Sequence, residues 1–173
     1  DAGVSGTQQF ILEDVPRKVS ELGKDTAFFG TNSAMQEPMI KRVLETGAIY
    51  PQSCDPSPYS GFPGALGIEV PDDKKQDIKY LTDQIKTKIA EKGGSGRFSC
   101  WPVPANMLMV EADVEYAMEY INGKTNGKVD EAKVKEVLEK VSGTKMDVSK
   151  FKDLSTNQEI SNMFVFLSDY ITF

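Results

Sequence analysis

Apolar residues recur at helical spacing along much of the chain, and short unbroken apolar runs stand between the helical stretches. In residues 5–23, Ile11, Val15, Val19 and Leu22 share one face. Pro16 breaks that pattern, so Asp14 is expected to cap a second helical segment. Gly23 suits a left-handed C-terminal cap. Thr26-Ala27-Phe28-Phe29 then reads as a buried strand that ends at Gly30-Thr31-Asn32. Ser33 and Gln36 form a capping-box pattern, with Ser33 accepting from the backbone and Gln36 reaching back. Met39, Ile40, Val43 and Leu44 give the helix that follows its apolar face, Gly47 closes it, and Ala48-Ile49-Tyr50 is the next strand.

The texture then changes. Residues 51–71 hold prolines at 51, 56, 58, 63 and 71 and glycines at 61, 64 and 67, the composition of an ordered but irregular loop. Asp72 and Asp73 favour a helix N-terminus. Ile78, Leu81, Ile85 and Ile89 form an amphipathic stripe that Gly93-Gly94-Ser95-Gly96 ends. Phe98-Ser99-Cys100-Trp101 reads as a strand, closed by Pro102-Val103-Pro104-Ala105-Asn106. Met107, Val110, Val114, Met118 and Ile121 align on the next helix, and that face is expected to be core. Turns are marked at Asn122-Gly123 and Asn126-Gly127. Asp130 to Val141 is a short helix with Val134, Val137, Leu138 and Val141 inward. Met163 to Leu167 reads as a strand and Tyr170 to Phe173 as a terminal extended segment.

Strands separated by helices predict an α/β fold, with a parallel sheet flanked by helices. Residues 1–122 read as one α/β lobe. Residues 123–173 supply a helix and strand that complete it or return to a missing N-terminal lobe, and 122–130 is the best linker candidate. Ligands of such sheets bind beyond the carboxyl ends of the strands. The residues there are Thr31, Asn32 and Ser33 with Gln36, then Gln52, Ser53, Cys54 and Asp55 with Tyr59, then Trp101 and Asn106. Amides and hydroxyls both donate and accept, and the aromatic rings offer flat apolar faces. That set suits a small polar organic ligand such as a sugar, nucleoside or amino acid. Capping alone accounts equally well for Asn32 and Ser33.

Composition narrows the chemistry. The chain has no histidine, which removes Ser-His-Asp and Cys-His catalysis and histidine metal sites. Cys54 and Cys100 are the only cysteines; they are two ordinary thiols or a single disulfide. An enzyme using Cys54 or a carboxylate, or a protein-interaction module, are the alternatives to binding. No cofactor and no metal is expected. The net charge of −6 and the lack of a basic stripe argue against a nucleic-acid partner. No apolar run approaches the length of a membrane span. The glycines at 93, 94 and 96 precede their strand and lack a following Gly-Lys-Ser/Thr, so no phosphate loop is expected.

A resemblance enters at these same residues. The stretches Gly6 to Pro16, Thr26 to Asn32, Ala34 to Pro38, Gly47 to Gln52, Pro56 to Tyr59, Gly61 to Pro63 and Asp169 to Phe173 resemble a bacterial family of uncharacterised proteins, family 3798 of the domains of unknown function. The resemblance covers most of the chain and is least distinctive from Gly123 to Ile160. It implies a likeness to type I periplasmic binding proteins, with two α/β lobes around a ligand cleft. It also implies export as a lipoprotein, and that this chain is mainly the C-terminal portion. Near Ser33 and Ser60 the family pattern carries a cysteine and a histidine, so no role of those side chains carries over.

Overall fold

The first long helix does not break at its proline. In the computed structural model, which describes residues 3–173, helix α1 (Gly3–Leu22) runs through Pro16. Ile11 and Val15 are buried and Val19 packs beside them, so one apolar face holds both halves of the helix in line. That burial outweighs the one backbone hydrogen bond a proline removes. Asp14 is therefore no cap; it pairs with Arg17 on the outer face.

A 3-10 turn (Ser33–Met35) leads into α2 (Gln36–Thr46). After it come α3 (Phe62–Leu66), a second 3-10 turn (Asp72–Lys74), α4 (Ile78–Glu91) and β1 (Ser99–Cys100). The rest of the chain forms α5 (Ala105–Ile121), α6 (Glu131–Ser142), β2 (Met146–Asp153), β3 (Gln158–Ser168) and β4 (Ile171–Thr172). Helix α4 starts later than the acidic pair at 72–73 suggests. Its cap is Asp77, whose carboxylate accepts the Tyr80 N–H at 2.9 Å. The chain divides into two compact units, one running to Pro104 and taking back Tyr170–Phe173, the other Ala105–Asp169.

In the first unit, α2 and α4 bury the faces their spacing predicts: Ile40, Val43, Leu81, Ile85 and Ile89 are all fully buried. Tyr50 stacks on Phe98 and meets the edge of Phe62, which in turn meets Phe173. The predicted strands are shorter than a sheet needs. Among the described residues, parallel pairing is confined to two isolated bridges, Ala27 with Ile49 and Tyr50 with Phe98. The Phe28 N–H donates to the Ile49 carbonyl at 2.9 Å and the Ser99 N–H to the Tyr50 carbonyl at 3.0 Å. The ladders that do form are antiparallel, β1 with β4 and β2 with β3. Pro51 and Pro102 follow two of the segments directly, and a proline has no N–H to extend a ladder. Among the described residues, mixed helix and strand is thus present and a continuous parallel sheet is not.

In the second unit, α5 packs on α6, and α6 on the β2–β3 hairpin, whose register shifts between Lys150 and Phe151. The expected core face of α5 is the wrong one. Met107, Val110, Val114, Met118 and Ile121 are all exposed, Ile121 to 75%, while Leu108 and Ala112 are buried. Helix α6 keeps its predicted face, with Val137 and Leu138 buried and Asp130 as cap, accepting the Lys133 N–H at 3.1 Å. Met163 to Leu167 lies within β3 as predicted, with Met163, Val165 and Leu167 exposed. Among the described residues no helix is long and apolar enough to cross a membrane.

Candidate ligand-binding site

The loops that follow Phe29 and Tyr50 meet at one polar cluster, and Gln36 is its centre. Gln36 is 1% exposed at the start of α2. The capping box expected there does not form. Asn32 instead caps the 3-10 turn ahead of α2, with its Oδ1 accepting the Ala34 N–H at 2.9 Å. Freed from that task, Gln36 turns inward. Its Oε1 accepts the Tyr50 hydroxyl, and its Nε2 donates to the Cys54 sulfur at 3.0 Å and to the Asn32 carbonyl at 3.3 Å. The polar atoms of a buried amide are normally paired in this way.

Two glycines make room for this side chain. A Cβ on Gly61 would stand 2.8 Å from the Gln36 Cβ and 3.0 Å from the Glu37 nitrogen. Gly61 also has φ +77°, the left-handed region. A Cβ on Gly30 would stand 3.3 Å from the Gln36 Nε2.

The network then runs outward. The Cys54 thiol donates to the Asp55 carboxylate at 3.9 Å, and the Ser33 hydroxyl donates to the same oxygen across 22 residues of sequence. Ser53 is buried, and its hydroxyl donates to the Asp55 carbonyl at 2.6 Å, which fixes the turn that presents the carboxylate. Burial pushes the Tyr50 hydroxyl far above its ordinary range, helped by the nearby thiols of Cys100 and Cys54, so it stays a neutral donor. Asp55, Ser33, Asn32 and Thr31 are exposed at the outer end. Such a patch can accept from hydroxyls or amines through Asp55 and exchange hydrogen bonds with hydroxyls through Ser33. The backbone N–H groups of the Ser33 turn lie beside it.

The first half of the chain also settles its kinship. A family model described as "Protein of unknown function (DUF3798)" matches residues 1–99. The chain belongs to the DUF3798 family. No curated protein matches it. A crystal structure from Clostridium difficile 630, named as a candidate transcriptional regulator, is similar, with a TM-score of 0.83 at 23% identity. The match covers 96% of this chain and 46% of that one, so this chain spans about half the length of its structural neighbour. Likeness at that identity speaks for the fold alone.

The other expected site residues of this DUF3798 chain have different surroundings. Gln52 Oε1 accepts the Ser53 N–H at 3.1 Å, while its Nε2 is buried without a partner. The Tyr59 hydroxyl donates to the Lys75 carbonyl at 2.8 Å, tying the 51–71 loop to the turn before α4. Burial and the Asp77 charge both raise its pKa. Trp101 is buried just after β1, and Asn106 is exposed on α5 in the second unit. Cys54 and Cys100 are free thiols. Burial pushes the Cys100 thiol up to about 12, which keeps it protonated and poorly nucleophilic. Among the described residues no cluster of three metal-binding side chains occurs. Tyr50 was missed by sequence reasoning as a site residue. Its signal is a hydroxyl inside an otherwise apolar strand, which must find a buried partner.

Proposed function

We propose that this chain is a solute-binding module that holds a small polar organic ligand on the Asn32, Ser33, Cys54 and Asp55 cluster. The observation that carries the proposal is the Ser33–Asp55 hydrogen bond. With the Gln36–Cys54 bond behind it, it joins two segment-end loops into one preorganised patch. In this reading the segments linked by the parallel bridges behave as strands of a lobe like that of a type I periplasmic binding protein, with the ligand at their carboxyl ends. Thr31 and Gln52 complete the rim. A single lobe supplies one wall of a cleft, so the isolated chain binds weakly.

Thermal shift on the full chain with sugars, nucleosides, amino acids and short peptides tests the reading. One class is expected to raise the melting temperature, and Asp55→Asn and Ser33→Ala are expected to abolish the rise. No rise with any class sinks it. Cys54→Ala separates binding from the alternative of cysteine chemistry: a retained rise means that the thiol only positions Gln36.

The name of the structural neighbour supports a second reading, a ligand-responsive regulator. The net charge of −6 then makes this chain the sensing part and not the DNA-contacting part. The location implied by the family resemblance, outside the cytoplasm as a lipoprotein, goes with the solute-binding reading. Metabolic labelling with a palmitate analogue, followed by cell fractionation, decides between the two.

A further inference from the structure

The second unit holds an apolar depression of about 330 Å³ between α5, α6 and β3. Its walls are Met109 and Ala112 of α5, Val137 and Leu138 of α6, and Phe164 and Phe166 of β3. Facing apolar layers of a folded unit normally close to crystal-like density, and this space stays open. Its volume sits at the lower end of small-molecule sites, which start at about 300 Å³.

One wall is held in place by backbone hydrogen bonds. The Asp130 N–H donates to the Tyr116 hydroxyl at 2.8 Å, and that hydroxyl donates to the Lys128 carbonyl at 3.3 Å. The Asp130 carboxylate accepts the Asn126 N–H at 2.8 Å and the Lys133 N–H at 3.1 Å, which locks the loop to the start of α6. Lys128 and Val129 therefore stand at a fixed place on the rim.

The rim carries one charge of each sign, Lys128 and Asp113. Among the described residues neither forms an ion pair, whereas Glu115 and Glu119 of the same helix are paired with Lys140, Lys124 and Lys133. A simple anion entering the pocket meets Asp113, and a simple cation meets Lys128. A zwitterionic head satisfies both, and an apolar body fits the walls. We propose that this depression binds a small apolar zwitterion of the apolar α-amino-acid class. Its carboxylate lies toward Lys128, its ammonium toward Asp113 and its side chain against the two phenylalanines. The site is independent of the strand-end cluster of the first unit.

Methyl-labelled full chain titrated with L-phenylalanine, 3-phenylpropanoate and 2-phenylethylamine tests this by NMR. The Val134, Val137 and Leu138 methyl signals are expected to move with L-phenylalanine at a millimolar dissociation constant, and about tenfold more weakly with either analogue. Lys128→Ala should abolish the preference over the amine, and Asp113→Ala the preference over the acid. Val129→Trp, at an exposed loop position, should block the pocket while leaving the rest of the spectrum in place. Equal binding of all three probes, or motionless signals at tens of millimolar, overturns the proposal. So do shifts that survive Val129→Trp, or that fall only on first-unit methyls such as Val43; that last result assigns the amino acid to the other site.

Discussion

Helices α4 and α5 carry apolar stripes of similar spacing and dispose of them in opposite ways. In α4, Leu81, Ile85 and Ile89 are wholly buried. In α5, every member of the stripe from Met107 to Ile121 is exposed. The difference lies on the far side of each helix. Opposite its stripe, α4 offers Lys79, Asp83 and Lys86, which no core accepts. Opposite its stripe, α5 offers Leu108, Ala112 and Tyr116, which α6 and β3 can take. A stripe shows which residues share a face. Only the chemistry of the opposite face decides whether that face is the one buried.

The contrast is broken or sharpened first by truncation. Ile85→Ala should cost about 2–5 kcal/mol in urea unfolding, because it empties a closed core. Val114→Ala in α5 should stay within about 0.5 kcal/mol, as surface substitutions do. A cost above 2 kcal/mol for Val114→Ala, roughly the core range, would mean that something covers the stripe in solution.

Backbone substitution gives the next effect. Gly61→Ala forces both a left-handed φ and a Cβ against Gln36, and should cost about 2–4 kcal/mol and disturb the site. Gly127→Ala in the second unit has φ +83° but nothing within 4 Å. It should cost about 1–2 kcal/mol, the strain alone. Equal losses would show that Gln36 is not wedged as described. Gln36→Leu keeps the volume and takes the amide acceptor from the Tyr50 hydroxyl, leaving it the Ser53 side chain, for about 1–3 kcal/mol by the same measurement.

What the sequence made legible was local. Gly23, Gly47 and Asp130 end or begin helices through chemistry confined to a few residues, and all three do so in the structure. Gln36 was not legible as a buried amide, because the string Ser33 to Gln36 reads equally well as a capping box. What turned it inward was Tyr50, fourteen residues on, together with the space left by Gly30 and Gly61. Strand β2 was hidden for a different reason. Asp147, Lys150 and Lys152 dilute its apolar positions, and the shift at Lys150/Phe151 interrupts the alternation that marks a strand. The site residues were readable as types of side chain at segment ends. Their partnership was not, since Ser33 and Asp55 are linked only by tertiary contact.

The smallest effect is read by pH, on one group in each unit. The Cys100 thiol in the first unit is pushed up from 9.0 to about 12 by burial, so the unfolded chain loses its proton first as pH rises. The contribution of Cys100 is complete below about 9 and is lost as pH climbs toward about 12, and the buried Tyr50 hydroxyl adds to the same alkaline limb. Asp130 in the second unit lies below its ordinary 3.8, because the Asn126 and Lys133 N–H groups donate to the carboxylate. Here the unfolded chain takes up its proton first as pH falls, so the contribution is present above 3.8 and lost as pH drops through the lower folded value. Trp101 is the chain's one tryptophan and lies in the first unit, so its fluorescence follows that unit while circular dichroism follows both. Cys100→Ala should shrink the alkaline limb seen by fluorescence and leave the share of Tyr50, and Asp130→Asn should shrink the acid limb seen by dichroism and leave the shares of Asp153, Asp25 and Asp77. An acid limb unchanged by Asp130→Asn would mean that the Asp130 carboxylate adds nothing to the hold of the Tyr116 hydroxyl on this loop. The fixed rim of the amino-acid pocket would then rest on that single hydroxyl.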